Sequence, residues 1–125
     1  MIKMTIPLNP KTKKNSQRIV TNRKTGRPMI VQSSDYLAYE KECGWFIKGK
    51  GKKIDYPVNV KCEFYRDSRR RVDLTNLLAA ICDILVKYEV VADDNSSIIV
   101  SHDGSRVGYD KDNPRTEITI ERSKE

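Results

Sequence analysis

The stretch VDLTNLLAAICDILVK, residues 72–87, constrains the fold more than any other. Leu74, Leu77, Leu78, Ile81 and Leu85 recur at i, i+3, i+4, i+7 and i+11, which places them on one face of a helix. Asp73 stands where the first turn needs a capping acceptor, and a carboxylate there also suits the positive end of the helix dipole. A helix with one apolar face must be packed against something. Val58, Val60, Cys62 and Phe64 alternate with polar neighbours before it, and IIVSHDGSRVG follows it, so both flanks read as strands.

The remaining elements fill out the same pattern. Ile2, Met4 and Ile6 alternate as a first strand that stops at Pro7, followed by the polar loop LNPKTKKNS. QRIVTN and RPMIVQ flank a turn in which Gly26 supplies a positive φ, so they read as a β-hairpin. Ser34 or Asp35 can cap a second helix that carries Tyr36, Leu37, Tyr39, Trp45 and Phe46 before Gly49 and Gly51 end it. That aromatic set reads first as core packing and second as a surface for base stacking. Asn113-Pro114 marks a turn and residues 116–120 a closing strand. A chain of 125 residues fits one core, and the order of elements predicts one small α+β domain over 1–125, with a mixed or antiparallel sheet and two main helices.

The net charge of +7 and a pI near 9.4 come from basic stretches at 11–14, 23–27, 48–53 and 66–71, spread along the chain, which points to a polyanionic partner. Cys43, Cys62 and Cys82 form no C-x-x-C pair, and a single histidine does not complete a zinc site around them. They read as buried apolar residues in a reducing compartment. The amino-terminal residues have neither the apolar core of a signal peptide nor the length of a membrane span, so the expected location is the cytoplasm, with no membrane partner.

Three arginines, Arg69, Arg70 and Arg71, stand directly before Asp73. The plain reading of Asp73 is a helix cap. A second acidic spot, Asp93-Asp94, follows the helix, and two such spots in a basic chain suit Mg²⁺, which takes hard carboxylate oxygens together with phosphate oxygens. On that reading the arginines gather phosphates while Asp73 and Asp94 carry the metal. The helix is roughly 20 Å long, and eight residues reach at most about 26 Å. Asp94 therefore returns to Asp73 within one subunit only if KYEVVADD doubles straight back along the helix; otherwise the pair forms across a dimer. Asp83 is expected to share the exposed face with Asn76 and Ala80, but it lies about 15 Å along the axis from Asp73, too far for one metal centre.

With D-x-x-N opening an amphipathic helix and Asp-Asp twenty to twenty-one residues after the first Asp, the sequence resembles the RusA family of Holliday-junction resolvases of bacteria, phages and prophages. The resemblance runs through nearly the whole chain. It implies an α+β homodimer that binds four-way DNA junctions and nicks two opposing strands symmetrically with Mg²⁺, for which Mn²⁺ can substitute, and with no small-molecule cofactor. It also implies a bacterial host cell with a phage or prophage origin. Carried over by position, the catalytic residues fall on Asp73, Thr75, Asn76 and Asp94 and the metal ligands on Asp73, Asp94 and the adjacent Asp93; the DNA contacts are expected from charge at Arg69, Arg70, Arg71, Lys13, Lys14, Asn15 and Arg18. Two positions depart from the family pattern: Thr75 stands where a second Asp is expected, and Ala79 where a lysine is. Lys87, Arg71 or Arg106 are the substitutes for the lysine, and Asp93, Asp103 or His102 those for the carboxylate. The plainer alternative for the last two is a satisfied strand histidine beside a bend at Asp103-Gly104.

Three functional classes follow, in order of preference: an active junction endonuclease, a junction-binding protein with weakened catalysis, and a general basic nucleic-acid-binding protein in which Asp73 is only a cap.

Overall fold

The computed structural model describes residues 1–13, 17–50 and 52–123, with the backbone alone at 17, 18 and 30–32. Its centre is strand β4 (Val58–Arg66), where Val58, Val60, Cys62 and Phe64 point to one face and Asn59, Lys61, Glu63 and Tyr65 to the other. Strand β7 (Arg115–Arg122) pairs with β4 antiparallel, and β1 (Ile2–Ile6) pairs antiparallel with β7. On the opposite side, β5 (Ile99–Ser101) and β6 (Arg106–Tyr109) both run parallel to β4. Met4, Ile6, Ile118 and Ile120 complete the apolar face that β4 begins. The sheet is mixed, as the order of elements suggested. The hairpin of β2 (Gln17–Thr21) and β3 (Pro28–Gln32) forms a separate two-stranded sheet, with Gly26 at φ +69° in its turn.

Helices α1 (Ser34–Ile47) and α2 (Leu74–Lys87) pack their buried residues into the same apolar cluster. Parallel strands cannot be joined by a tight turn, so α2 serves as the crossover from β4 to β5 and runs antiparallel to both. Its start therefore lies at the carboxyl end of β4, and the loop after it at the amino end of β5. The two helices meet at Gly44, where any side chain would collide with the Tyr88 ring; the Tyr88 hydroxyl donates to the Glu40 carbonyl at 3.1 Å, and Lys87 pairs with Glu40 at 2.5 Å.

Four local expectations are corrected. Ser33, one residue earlier than expected, caps α1 by accepting from Tyr36 N at 3.2 Å. The buried stripe of α1 is Tyr36, Tyr39, Cys43 and Ile47, while Leu37 and Trp45 are exposed and not core. Ala80 is buried, three residues after Leu77 and four before Ile84 on the packed face, and does not share Asp83's exposed side. The stretch 98–108 is two strands, divided where Asp103 and Gly104 turn, with Gly104 at φ +88°. Among the described residues no helix is long and apolar enough to cross a membrane.

Candidate active site at the start of helix α2

The chain between β4 and α2 is held at several points. The Asp67 amide donates to Asn9 Oδ1 at 3.0 Å, the Arg66 guanidinium to the Arg70 carbonyl at 2.6 Å, and the Asp110 amide to the Arg66 carbonyl at 2.9 Å. Arg69 lies over the Tyr109 ring, 4.1 Å from its centroid, a cation–π contact that fixes the middle of the run to β6. Arg70 and Arg71 are exposed and have no ion-pair partner among the described residues. Free guanidinium groups beside the amino-terminal dipole of a helix make a place where phosphate is favoured.

Asp73 begins α2, and its carbonyl accepts from the amides of Asn76 and Leu77 at 3.1 and 3.2 Å. Its carboxylate does not cap the helix: Oδ2 instead accepts from Asn76 Nδ2 at 3.2 Å. The D-x-x-N spacing thus becomes an oriented, exposed carboxylate whose other oxygen has no partner among the described residues. Thr75 and Ala79 are exposed one turn apart on α2, and neither supplies a charge there. Lys13 reaches α2 one further turn along and pairs with Asp83 at 2.5 Å. No local signal in the sequence revealed that pairing, because it joins a loop to a helix far along the chain. Lys14 and Asn15 lie outside the described residues, and Arg18 is placed on β2 by its backbone alone.

The second acidic spot divides into two roles. Asp93 uses both oxygens locally, accepting from the Asp94 amide at 2.7 Å and from Asn95 Nδ2 at 3.1 Å. Asp94 is exposed, and its carboxylate has no hydrogen bond among the described residues. The chain does double back after α2, with Leu85 O accepting from both Val90 N and Val91 N. It then joins Ile54 ahead of β4, at the end of the sheet away from Asp73. The Cys82 thiol is pushed up to about 12, first by burial and then by the charges of Asp94 and Asp83. Among the described residues no three His, Cys, Asp or Glu side chains gather as a metal site. Asp73 and Asn76 are brought together, as are Asp93 and Asp94, and among the described residues no hydrogen bond links the two pairs.

The other substitutes are engaged elsewhere. Lys87 pairs with Glu40 at the far end of α2, and Arg106 pairs with Glu63 at 3.0 Å on the polar face of the sheet. Asp103 is held through its backbone by Asn59, which accepts from its amide at 2.8 Å and donates to its carbonyl at 3.2 Å, in the turn between β5 and β6. His102 follows the plainer reading: a carbonyl only accepts, so Nδ1 donates to Val60 O at 2.8 Å, and Nε2 faces Cys82 Sγ at 3.7 Å. Arg71 alone of the named cations stays beside Asp73. Cys43, Cys62 and Cys82 are buried free thiols.

A family model described as endodeoxyribonuclease RusA matches residues 7–121, almost the whole chain. The chain belongs to the RusA family of endodeoxyribonucleases. The match spans the arginine run, all of α2 and both acidic spots, so this RusA-family chain carries its exposed carboxylate and its arginines inside the family's own region. No curated protein matches it.

Proposed function

We propose that the protein is a Mg²⁺-dependent endonuclease that binds four-way DNA junctions as a homodimer and nicks two opposing strands symmetrically. Membership of an endodeoxyribonuclease family supports the reaction class. The observation that carries the rest is the exposed Asp73 carboxylate, oriented by Asn76 and released from capping, beside Arg70 and Arg71.

The donor set fits Mg²⁺: Asp73 and Asp94 offer hard, exposed carboxylate oxygens, while the soft Cys82 thiol is buried and protonated at neutral pH. When bound, the ion lowers the pKa of a coordinated water and stabilises charge on the leaving oxygen. The protein's own residues do the rest. Arg69, Arg70 and Arg71 draw the phosphodiester to the start of α2, and Asn76 keeps the Asp73 carboxylate turned outward. Thr75 lies on the same turn, where its hydroxyl can hold a water. Asp93 fixes the loop that presents Asp94. The crossover topology, with Asp73 before α2 and Asp94 in the loop after it, supports a site built from Asp73 of one subunit and Asp94 of the partner subunit. A two-fold dimer then has two equivalent sites for the two equivalent strands of a junction.

Thr75 and Ala79 favour a second reading, a junction-binding protein with little catalysis, since they leave the face beside Asp73 without a second carboxylate or an ammonium group. Incubating a labelled immobile junction and a matched linear duplex with Mg²⁺, Mn²⁺ or EDTA separates the two. Paired, metal-dependent nicks in the junction alone establish the nuclease. Tight junction binding with no nick in either metal establishes the second reading.

A further inference from the structure

Trp45 is the single tryptophan of the chain and is 72% exposed, on a helix whose apolar face is turned elsewhere. Lys41, Trp45 and Lys48 fall at i, i+4 and i+7, so a lysine stands one turn to either side of the indole. No cation stacks on that ring among the described residues.

Two clefts border it and a third adjoins them. One of about 400 Å³ is lined by Lys41, Trp45, Lys48 and Tyr88. Through Lys48 and Tyr88 it continues into a cleft of about 540 Å³ that adds Lys52, Lys53 and Lys87. Through Trp45 it continues on the other side into a cleft of about 430 Å³ that adds Lys3, Phe46 and Lys50. Among the described residues, Glu89 is the only carboxylate lining any of the three, and Lys87 is the only one of these lysines with an ion-pair partner. The result is a continuous basic track with one open aromatic face at its middle. A positive groove that follows a phosphate backbone, interrupted by an aromatic ring on which a base can stack, is the physical design of a single-strand binding surface. This track adjoins the carboxyl end of α2, away from Asp73.

We propose that the track is a second DNA-binding site, in which the lysines hold successive phosphates and Trp45 stacks on an unpaired base. The choice of DNA as the polyanion rests on the nuclease reading above; the stacking surface itself does not.

Trp45 is its own reporter. Titrating the full-length protein with an oligothymidylate, and separately with a four-way junction, should quench its emission along the same curve as the anisotropy of labelled DNA, with affinity falling steeply as salt rises. Trp45→Ala should weaken oligothymidylate binding about tenfold or more, Trp45→Phe should keep most of it, and Lys48→Glu with Lys52→Glu should weaken it and flatten the salt dependence. Unchanged emission on binding, with wild-type affinity in Trp45→Ala, overturns the proposal and leaves the nuclease reading standing. Quenching by oligothymidylate in a protein that neither binds nor cuts junctions upholds the stacking site and removes the nuclease. Blue-shifted emission in DNA-free protein that moves to the red on dilution shows a second copy covering the ring, and overturns the site.

Discussion

Asn76 Nδ2 stands 3.2 Å from Asp73 Oδ2, and this one contact turns the Asp73 carboxylate away from the helix amides it would otherwise cap. An aspartate at the first position of a helix normally contributes about 1 kcal/mol by accepting from those amides. Here that contribution is forgone. Asp73→Ala should therefore change stability by less than about 0.5 kcal/mol, well below the usual loss of a cap, and Asp73→Ser should stabilise the fold. Urea midpoints of the three proteins check this; a loss of 1 kcal/mol or more in Asp73→Ala, about the usual cost, would show that the carboxylate caps after all.

The face beside Asp73 lacks two charges. Thr75 and Ala79 are exposed, so a carboxylate and an ammonium group can be added there without disturbing the core. Thr75→Asp with Ala79→Lys should raise the nicking rate of a junction on the order of 10²-fold, the scale of one well-aimed electrostatic group. Single-turnover rates at saturating metal measure it, and an unchanged rate would mean that Arg71 already does the work.

What the sequence disclosed depended on whether the information was local. Helix α2 was legible because its apolar residues follow one strict stripe. Ala80 was misplaced because a small residue gives that stripe little weight, although it lies three residues after Leu77 and four before Ile84. The aromatic residues of α1 misled for the opposite reason. Bulk alone suggested core, whereas position put Tyr36, Tyr39 and Cys43 inside and left Leu37 and Trp45 outside. The Asp73–Asn76 pair could be read from its spacing, but not that it replaces the cap. The parallel pairing of β4 with β5 and β6 joins distant segments, so it was not visible in the chain, whereas the helix length alone already raised a site shared across a dimer.

Burial pushes the thiols of Cys43 and Cys82 up to about 12 and raises that of Cys62 further, from an ordinary value of 9.0. Between those limits the folded protein keeps protons that the unfolded chain loses, so stability falls as pH rises. The contribution is fully present below pH 9, and each buried thiol removes about 1.4 kcal/mol per pH unit above it. Urea midpoints should hold steady up to pH 8.5 and drop sharply by pH 10, with the drop reduced in Cys62→Ala. Rapid reaction of a thiol dye with the native protein at pH 8 would contradict the burial.

A site shared between subunits makes a specific demand on mixtures. Asp73→Asn alone and Asp94→Asn alone should both be inactive. A mixed dimer of the two retains one intact pair, Asp73 from one subunit and Asp94 from the other, and should cut one strand per junction. If each site lay within one chain, the mixture would remain inactive. Mixing the two proteins, allowing subunits to exchange, and counting nicked strands on a junction labelled on all four arms distinguishes the arrangements.

The most direct measurement sets binding against cutting for Asp73→Asn on a labelled four-way junction in Mg²⁺. If the outward-turned carboxylate is the metal-holding centre, the variant should bind the junction at least as tightly as wild type, since it removes a negative charge from a basic surface. It should lose nicking by about 10²-fold or more. Junction nicking by Asp73→Asn at the wild-type rate would place the chemistry elsewhere and contradict the assignment.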